Sequence, residues 1–260
     1  MKLDGARVIV TGASRGIGKS LALRLAERGS RLVLVARSEE DLAAVAQAVR
    51  ERGGPVVRTV AGDVTDPGTA CSAVEMAARE LGGLDVLVNN AGVGLRAPVA
   101  RLEPRDLEEV FRVNVVGALN FIRAALPQLK ASSGLVVNVA SIAARQAVPF
   151  LGGYAATKAA LVALGDALRL EAGGVGVLTV LPGSVETDFK AHARGEPYPE
   201  RASARRLDPD TVAARVIRAV QDGKREVVVL SRGERAALLL GRLAPRLVER
   251  QLVRRYGWPT

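Results

Sequence analysis

The stretch "YAATK" sets Tyr154 and Lys158 four residues apart at the head of an otherwise apolar helical run, "AALVALGDALRLE". On a helix that spacing puts both side chains on one face, one turn apart. An ammonium beside a phenol favours the tyrosinate, so the pair reads as a proton donor and acceptor with a pKa brought down from about 10. Ser141 closes the apolar run "GLVVNVAS", where its hydroxyl can hold a carbonyl oxygen. Asn114 interrupts the apolar helical stretch "VFRVNVVGALNF". An amide is poor for helicity there and suits a water or lysine network. Each residue also has a plainer account. Tyr-x-x-x-Lys arises by chance, a serine suits a turn, and an asparagine can be a satisfied polar group in a core.

A second constellation is built to hold an anion. "VIVTGASRGIGKSLALRLA" runs strand, glycine turn, helix. Gly12, Gly16 and Gly18 permit a tight turn and close backbone approach, and the helix start then offers free N–H groups to a phosphate. Their spacing, Gly-x-x-x-Gly-x-Gly, departs from the Gly-x-Gly-x-x-Gly dinucleotide fingerprint. At the end of the second strand, where an NAD site carries an acid, "LVLVARSEEDL" offers Ala36 and Arg37. A guanidinium there suits a 2′-phosphate, with Arg15 closing the other side, so NADP(H) is favoured over NAD(H). Ser38 and the acids after it read as a helix cap, and the bland account of Arg37 is a surface arginine. Asp63, in "AGDVT", either accepts from an adenine amino group or caps a turn. "NNAG" (Asn89–Gly92) ends the fourth strand, where ligands of open α/β sheets bind.

Seven short β-branched runs alternate with longer helical patterns: "RVIV", "RLVLVA", "VVRTVAGDV", "DVLVNNAG", "GLVVNVAS", "GVGVLTVLPG" and "REVVVL". That alternation predicts an α/β, Rossmann-type doubly wound seven-stranded parallel sheet with helices on both faces, filling residues 1–230 as one domain. Residues 186–210 are polar and without apolar period, and read as a long mobile substrate loop. Residues 231–260 form a basic, amphipathic helical extension broken at Pro245. Leu239, Leu243 and Leu247 recur on one face, and Arg235, Arg242, Arg246, Arg250 and Arg254 on another. Packing on its own domain or a partner subunit is the leading expectation for this face, with membrane-surface contact second and Trp258 an anchor for either.

Composition excludes several classes. His192 is the one histidine and Cys71 the one cysteine among 260 residues, so a zinc site, a Ser-His-Asp triad and an internal disulfide are not expected. A net charge of +10 attracts anions, but aromatics are 3% and no basic run is interleaved with stacking residues, so nucleic acid is not an expected partner. The N-terminus lacks a signal-peptide pattern, and no apolar run reads as long enough to cross a membrane, which makes the cytoplasm the expected location.

In this order on this fold, the motifs "TGASRGIG" (11–18), "GDV" (62–64), "NNAG" (89–92), Asn114, Ser141, "YAATK" (154–158) and "PGSVET" (182–187) resemble the short-chain dehydrogenase/reductase family over about residues 5–230. The resemblance implies hydride transfer between a nicotinamide cofactor and a carbonyl or alcohol. Tyr154 would be the general acid/base, and Lys158 would lower its pKa and hold the nicotinamide ribose. Ser141 would orient the carbonyl and Asn114 support a proton-relay water. Cofactor contacts would come from Gly12, Ser14, Arg15, Gly16, Ile17, Gly18, Arg37, Asp63, Val64, Asn90, Ala91, Gly92, Tyr154, Lys158, Pro182, Gly183, Val185 and Thr187. A homodimer or homotetramer is implied, with the helix after Tyr154 as an interface. The helical extension is closer to members that reduce hydrophobic ketones, steroids or lipids than to acyl-carrier ketoacyl reductases. The rival class is a non-enzymatic NADP-binding sensor or scaffold on the same fold.

Overall fold

The computed structural model describes residues 1–187, 189, 193–195 and 206–256, without the side chains of 242, 255 and 256. His192, Trp258 and most of the expected 186–210 loop lie outside the described residues. Seven strands form one parallel sheet: β1 (Arg7–Thr11), β2 (Arg31–Ala36), β3 (Val57–Ala61), β4 (Val86–Asn89), β5 (Leu135–Val139), β6 (Gly176–Pro182) and β7 (Glu226–Val229). Their spatial order is β3-β2-β1-β4-β5-β6-β7. The central strands are apolar on both faces, and Leu32, Val33, Leu34 and Val35 have no exposure at all. Such a run is stable only when helices cover both sides.

One face is covered by α1 (Gly16–Ala26), α2 (Glu39–Glu51) and α7 (Pro209–Gln221), the other by α3 (Pro67–Met76), α5 (Gly117–Ala131) and α6 (Gly152–Glu171). The chain reverses its direction of winding between β1 and β4. The carboxyl ends of both strands therefore open onto a crevice, the usual ligand position of doubly wound sheets. Helix α4 (Pro104–Phe111) runs into α5 through a π turn at Arg112–Val116. Together they make a 29-residue helix, Pro104–Ser132, in which one 18-residue window has mean hydropathy 1.2. It is still not an uninterrupted apolar run, since Arg112, Arg123 and Lys130 break it. The length is there, but Phe121, Ile122, Ala125 and Leu129 bury one face in the sheet, as a core helix does.

The last two helices, α8 (Arg232–Leu243) and α9 (Pro245–Tyr256), form an antiparallel-type hairpin turning at Ala244 and Pro245. Pro245 cannot continue α8 because it lacks the N–H that the helix ladder needs.

Candidate active site

A cleft of about 880 Å³ runs along the carboxyl edge of the sheet. At one end lies the turn from β1 to α1. Gly12 has φ +62, and a Cβ there would stand 2.8 Å from Ala91 Cα. A Cβ on Gly18 would stand 2.2 Å from the Gly12 carbonyl oxygen, so α1 can begin this close to β1 only with glycine. Asn90 fastens the turn, its Nδ2 donating to the Thr11 and Gly12 carbonyls at 3.0 Å each. Helix α1 starts without a side-chain cap and with no acid in its first turn. Its leading N–H groups are therefore free to meet an anion, with the helix dipole favouring negative charge. Ser14, Arg15, Gly16 and Ile17 line the cleft here, whereas Gly18 is withdrawn from it as a packing residue.

Further along, Ala36, Arg37 and Asp63 with Val64 form the outer wall. Ser38 does cap α2, accepting from Asp41 N at 3.2 Å, as its position before three acids predicts. Arg37 is exposed and edges the cleft. Burial works against ionisation of the Asp63 carboxyl. Bonds from the Thr65 N–H and hydroxyl, both 2.8 Å, and the charges of Arg37 and Arg112 outweigh it and hold the pKa below the ordinary value. Asp63 is thus an ionised turn residue with its carboxylate beside the cleft.

Asn90, Ala91 and Gly92 carry the wall to the other end, where Ser141, Tyr154 and Lys158 meet. Ser141 caps a 3-10 turn, Ile142–Ala144, its Oγ accepting from Ala143 N at 3.2 Å, and its hydroxyl favours the ionised form of the nearby Tyr154 phenol. Lys158 is buried, one helical turn behind Tyr154, with Nζ 5.9 Å from the ring centroid and donating to the Val139 carbonyl at 3.0 Å. Gly92 leaves it room, since a Cβ there would be 3.2 Å from Nζ.

The expected lowering of the phenol's pKa is not what this arrangement gives. Burial pushes Tyr154 up to about 12, and the Ser141 hydroxyl offsets only part of that. Tyr154 is half-buried and lines the cleft, and the protein packed around it desolvates the phenol. Burial also draws Lys158 down to about 8, because desolvation disfavours the ammonium.

Asn114 sits in the π turn and is buried behind the cleft wall. Its Oδ1 accepts from Val93 N at 2.8 Å, and its Nδ2 donates to the Val93 carbonyl and to Thr157 Oγ1 at 3.0 and 2.9 Å. Thr157 in turn donates to the Tyr154 carbonyl at 2.8 Å. Both amide hydrogens are committed, so this side chain ties the Val93 loop to the first turn of α6. A π turn at a functional position is a recurrent use of that irregularity, and it is how an unfavourable mid-helix amide is accommodated.

Pro182, Gly183, Val185 and Thr187 also line the cleft. They belong to a strap pinned by Leu207, whose carbonyl accepts from Glu186 N and whose N–H donates to the Ser184 carbonyl, both at 2.8 Å. Thr187 lies over the glycine turn, its Cγ2 3.0 Å from where a Gly16 Cβ would be.

Among the cleft residues that the sequence reading missed, three stand in the last two helices: Glu234, Ala237 and Leu252. Ser231-x-x-Glu234 is a readable capping box, and it forms, with Ser231 N and Oγ donating to Glu234 Oε2 at 2.9 and 2.8 Å. What no local pattern signals is the second use of that carboxylate. Its Oε1 accepts from Ser184 N at 2.7 Å, and the Gly183 position has no space for a Cβ because the carboxylate fills it. The extension is therefore fastened to the strap at the edge of the cleft.

The sequence profile described as short chain dehydrogenase matches residues 6–197. The chain is 33% identical over 260 residues to "Ketoacyl reductase HetN" of Nostoc sp., covering 95% of this chain and 88% of that protein. It is 39% identical over 194 residues to "11-beta-hydroxysteroid dehydrogenase 1A" of Arabidopsis thaliana, covering 72% of this chain and 54% of the other. Among solved structures, an alcohol dehydrogenase from the archaeon Thermococcus sibiricus complexed with 5-hydroxy-NADP superposes with a TM-score of 0.76 at 30% identity, covering 85% of this chain and 94% of that one. A glycine turn under an uncapped helix, with serine, tyrosine and lysine at the far end of the same crevice, thus comes with a match to most of the chain: this protein is a member of the short-chain dehydrogenase/reductase family of oxidoreductases.

Proposed function

We propose that the protein is an NADPH-dependent carbonyl reductase acting on a hydrophobic ketone, with Tyr154 as proton donor. One observation carries the reading: Ser141, Tyr154 and Lys158 line the same cleft as the uncapped start of α1 and Arg37. The glycine turn fits a dinucleotide, since its close packing sets the uncapped start of α1 on the cleft with room for a diphosphate. In this reading the N–H groups at Gly16 and Ile17, with Ser14, take the diphosphate, and Arg37 with Arg15 takes a 2′-phosphate. Asp63 and Val64 face the adenine. Asn90, Ala91 and Gly92 follow the middle of the cofactor, Lys158 holds the nicotinamide ribose, and Pro182, Gly183, Val185 and Thr187 hold the nicotinamide. The complex of the Thermococcus relative with 5-hydroxy-NADP supports the choice of NADP(H) over NAD(H).

When bound, the nicotinamide supplies a hydride to the carbonyl carbon. The Ser141 and Tyr154 hydroxyls hold the carbonyl oxygen, where negative charge grows as the hydride arrives. A phenol with a pKa of about 12 stays protonated at neutral pH and has its proton ready to give. The proton passes from Tyr154 Oη to that oxygen and completes the alcohol. With a pKa of about 8, Lys158 is still an ammonium at neutral pH, one turn away, and stabilises the tyrosinate left behind. Asn114 and Thr157 keep the first turn of α6 in place while this happens.

The substrate end supports an apolar ketone. Val93, Leu95, Val148, Leu151 and Leu252 line it, and Phe189 meets the Tyr154 ring edge-on at 5.7 Å between centroids. The hydroxysteroid dehydrogenase relative fits the same choice, and the ketoacyl reductase relative is why a β-ketoacyl thioester belongs in the test. A cytoplasmic homodimer or homotetramer sharing α6 completes the proposal.

The test follows NADPH and NADH absorbance with a diketone, a quinone, a ketosteroid and a β-ketoacyl thioester. Turnover with NADPH that falls at least about a thousandfold in Tyr154→Phe is the expected result. Turnover that survives the substitution removes the phenol from the mechanism.

A further inference from the structure

The α8–α9 hairpin has two unlike faces. Its inner seam, Glu234, Leu238, Gly241, Val248 and Leu252, is half-buried, and Ala237 and Leu252 reach the cleft. The helices meet closely where a Gly241 Cβ would touch Val248 Cγ1 at 4.0 Å. On the outer side Leu239, Leu240, Leu243, Leu247 and Val253 are 54%, 56%, 84%, 65% and 47% exposed. The described residues contain seven large hydrophobic side chains at least this exposed, and five of them stand on these two helices. Arginines flank them. Residues 231–260 hold seven arginines against Glu234 and Glu249, a net +5 and half of the whole chain's +10. Arg232, Arg235, Arg246, Arg250 and Arg254 are exposed, and none forms an ion pair with another described residue.

We infer that this outer face docks onto an anionic membrane surface and sets the apolar end of the cleft against the lipid. A leucine ridge bordered by arginines is the pattern of a helix lying in the headgroup region, with leucines in the acyl boundary and guanidinium groups on lipid phosphates. The charge decides between occupants. A second copy meeting this one across a two-fold axis would bring +5 onto +5, and like charges face to face oppose association. A nucleic acid would satisfy the arginines but leave the leucine ridge in water. An anionic lipid surface meets both groups at once. The hairpin lies on the bilayer and does not span it, since α8 and α9 have 12 residues each.

Docking follows from the hairpin alone. What it delivers, an apolar ketone passing from the bilayer between the hairpin and the strap, rests on the proposed reductase activity. The strap is the element that Glu234 holds at 2.7 Å, so the docked face and the cleft edge are joined by a direct contact.

The test is flotation of the full chain with vesicles of phosphatidylcholine alone and with about one-third phosphatidylglycerol. Two variants accompany it: Leu243→Glu with Leu247→Glu, and Arg246→Gln with Arg250→Gln and Arg254→Gln. The expected result is wild-type flotation with the anionic vesicles alone, weakened by salt, at about fivefold in partition per arginine. The leucine variant loses at least tenfold while turning over a water-soluble ketone like the wild type. These side chains are solvent-exposed, so circular dichroism should show both variants folded. Failure of the wild type to float overturns the inference, as does equal binding to both vesicles. So does a leucine variant that still floats while its mass in solution halves, which would make the face a subunit interface. Flotation needs no cofactor, so an inactive but floating protein would count against the reductase reading alone.

Discussion

Lys158→Met tests the electrostatics of the site without reference to any substrate. In the folded chain the Lys158 amine is buried beside Tyr154 and has a pKa of about 8, against an ordinary 10.5. That difference corresponds to about 3 kcal/mol by which burial disfavours the ammonium. Below pH 8 both folded and unfolded chains hold the proton, and the folded protein carries the whole penalty. Between pH 8 and 10.5 the unfolded chain holds more protons than the folded one, so the contribution of Lys158 to stability rises with pH. From pH 7 to 10 the rise comes to about 2.5 kcal/mol. The window ends there because Tyr154 then acts in the opposite sense. Its folded pKa is about 12 against 10.0, so between those values the unfolded phenol loses its proton first and stability falls. Methionine has similar length and no charge. It removes the penalty and forfeits the 3.0 Å bond to the Val139 carbonyl, worth about 1 kcal/mol. At pH 7 the variant should therefore be about 2 kcal/mol more stable than the wild type and catalytically dead. By pH 10 the advantage should be gone. Urea unfolding followed by circular dichroism at pH 7, 8, 9 and 10 gives the difference directly, and titrations elsewhere cancel. A difference that stays flat across those four values would refute the buried-ammonium argument.

Two other substitutions probe the cofactor end. Arg37→Asp replaces the proposed 2′-phosphate partner with a like charge, and the NADPH-to-NADH ratio of kcat/KM should fall about 10- to 100-fold. An unchanged ratio would reduce Arg37 to one more surface arginine. Glu234→Ala removes the acceptor of Ser184 N and the cap of α8 together. NADPH Kd, read by fluorescence quenching, should rise about tenfold with the far-UV spectrum intact, since a charge-assisted bond on the strap is lost. Unaltered affinity would show that the hairpin's grip on the strap has no bearing on the cofactor.

Most of the sheet was legible because a parallel strand covered on both sides must be continuously apolar, as "RLVLVA" is, and the helix between two such strands must be amphipathic. The glycine turn and Tyr154–Lys158 were legible for a related reason: each is a constraint between near neighbours in the chain. What escaped notice depends on residues far apart. Glu234 and Ser184 are separated by 50 positions, and nothing in either segment alone says they meet. The extension could be read as an amphipathic pair of helices, but not as a wall of the cleft. Asn114 was legible as an anomaly in a helix, while its π turn and its bond to Thr157 were not.

The phenol of Tyr154 shows the same limit in its energetics. Lys158 four residues on gives a charge at short range, and from the chain alone the sign of its effect is downward. Depth is the larger influence, and depth is a property of everything that packs around β5 and α6. Burial acts on both members of the pair, raising the phenol and lowering the ammonium, so two values that lie close together in water are driven apart. The consequence is chemical. A phenol lowered to neutral pH would be partly ionised and a poorer reservoir of protons, whereas one held near 12 keeps its proton until the substrate oxygen gains charge. The proposed reduction needs that donor, and burial keeps it protonated.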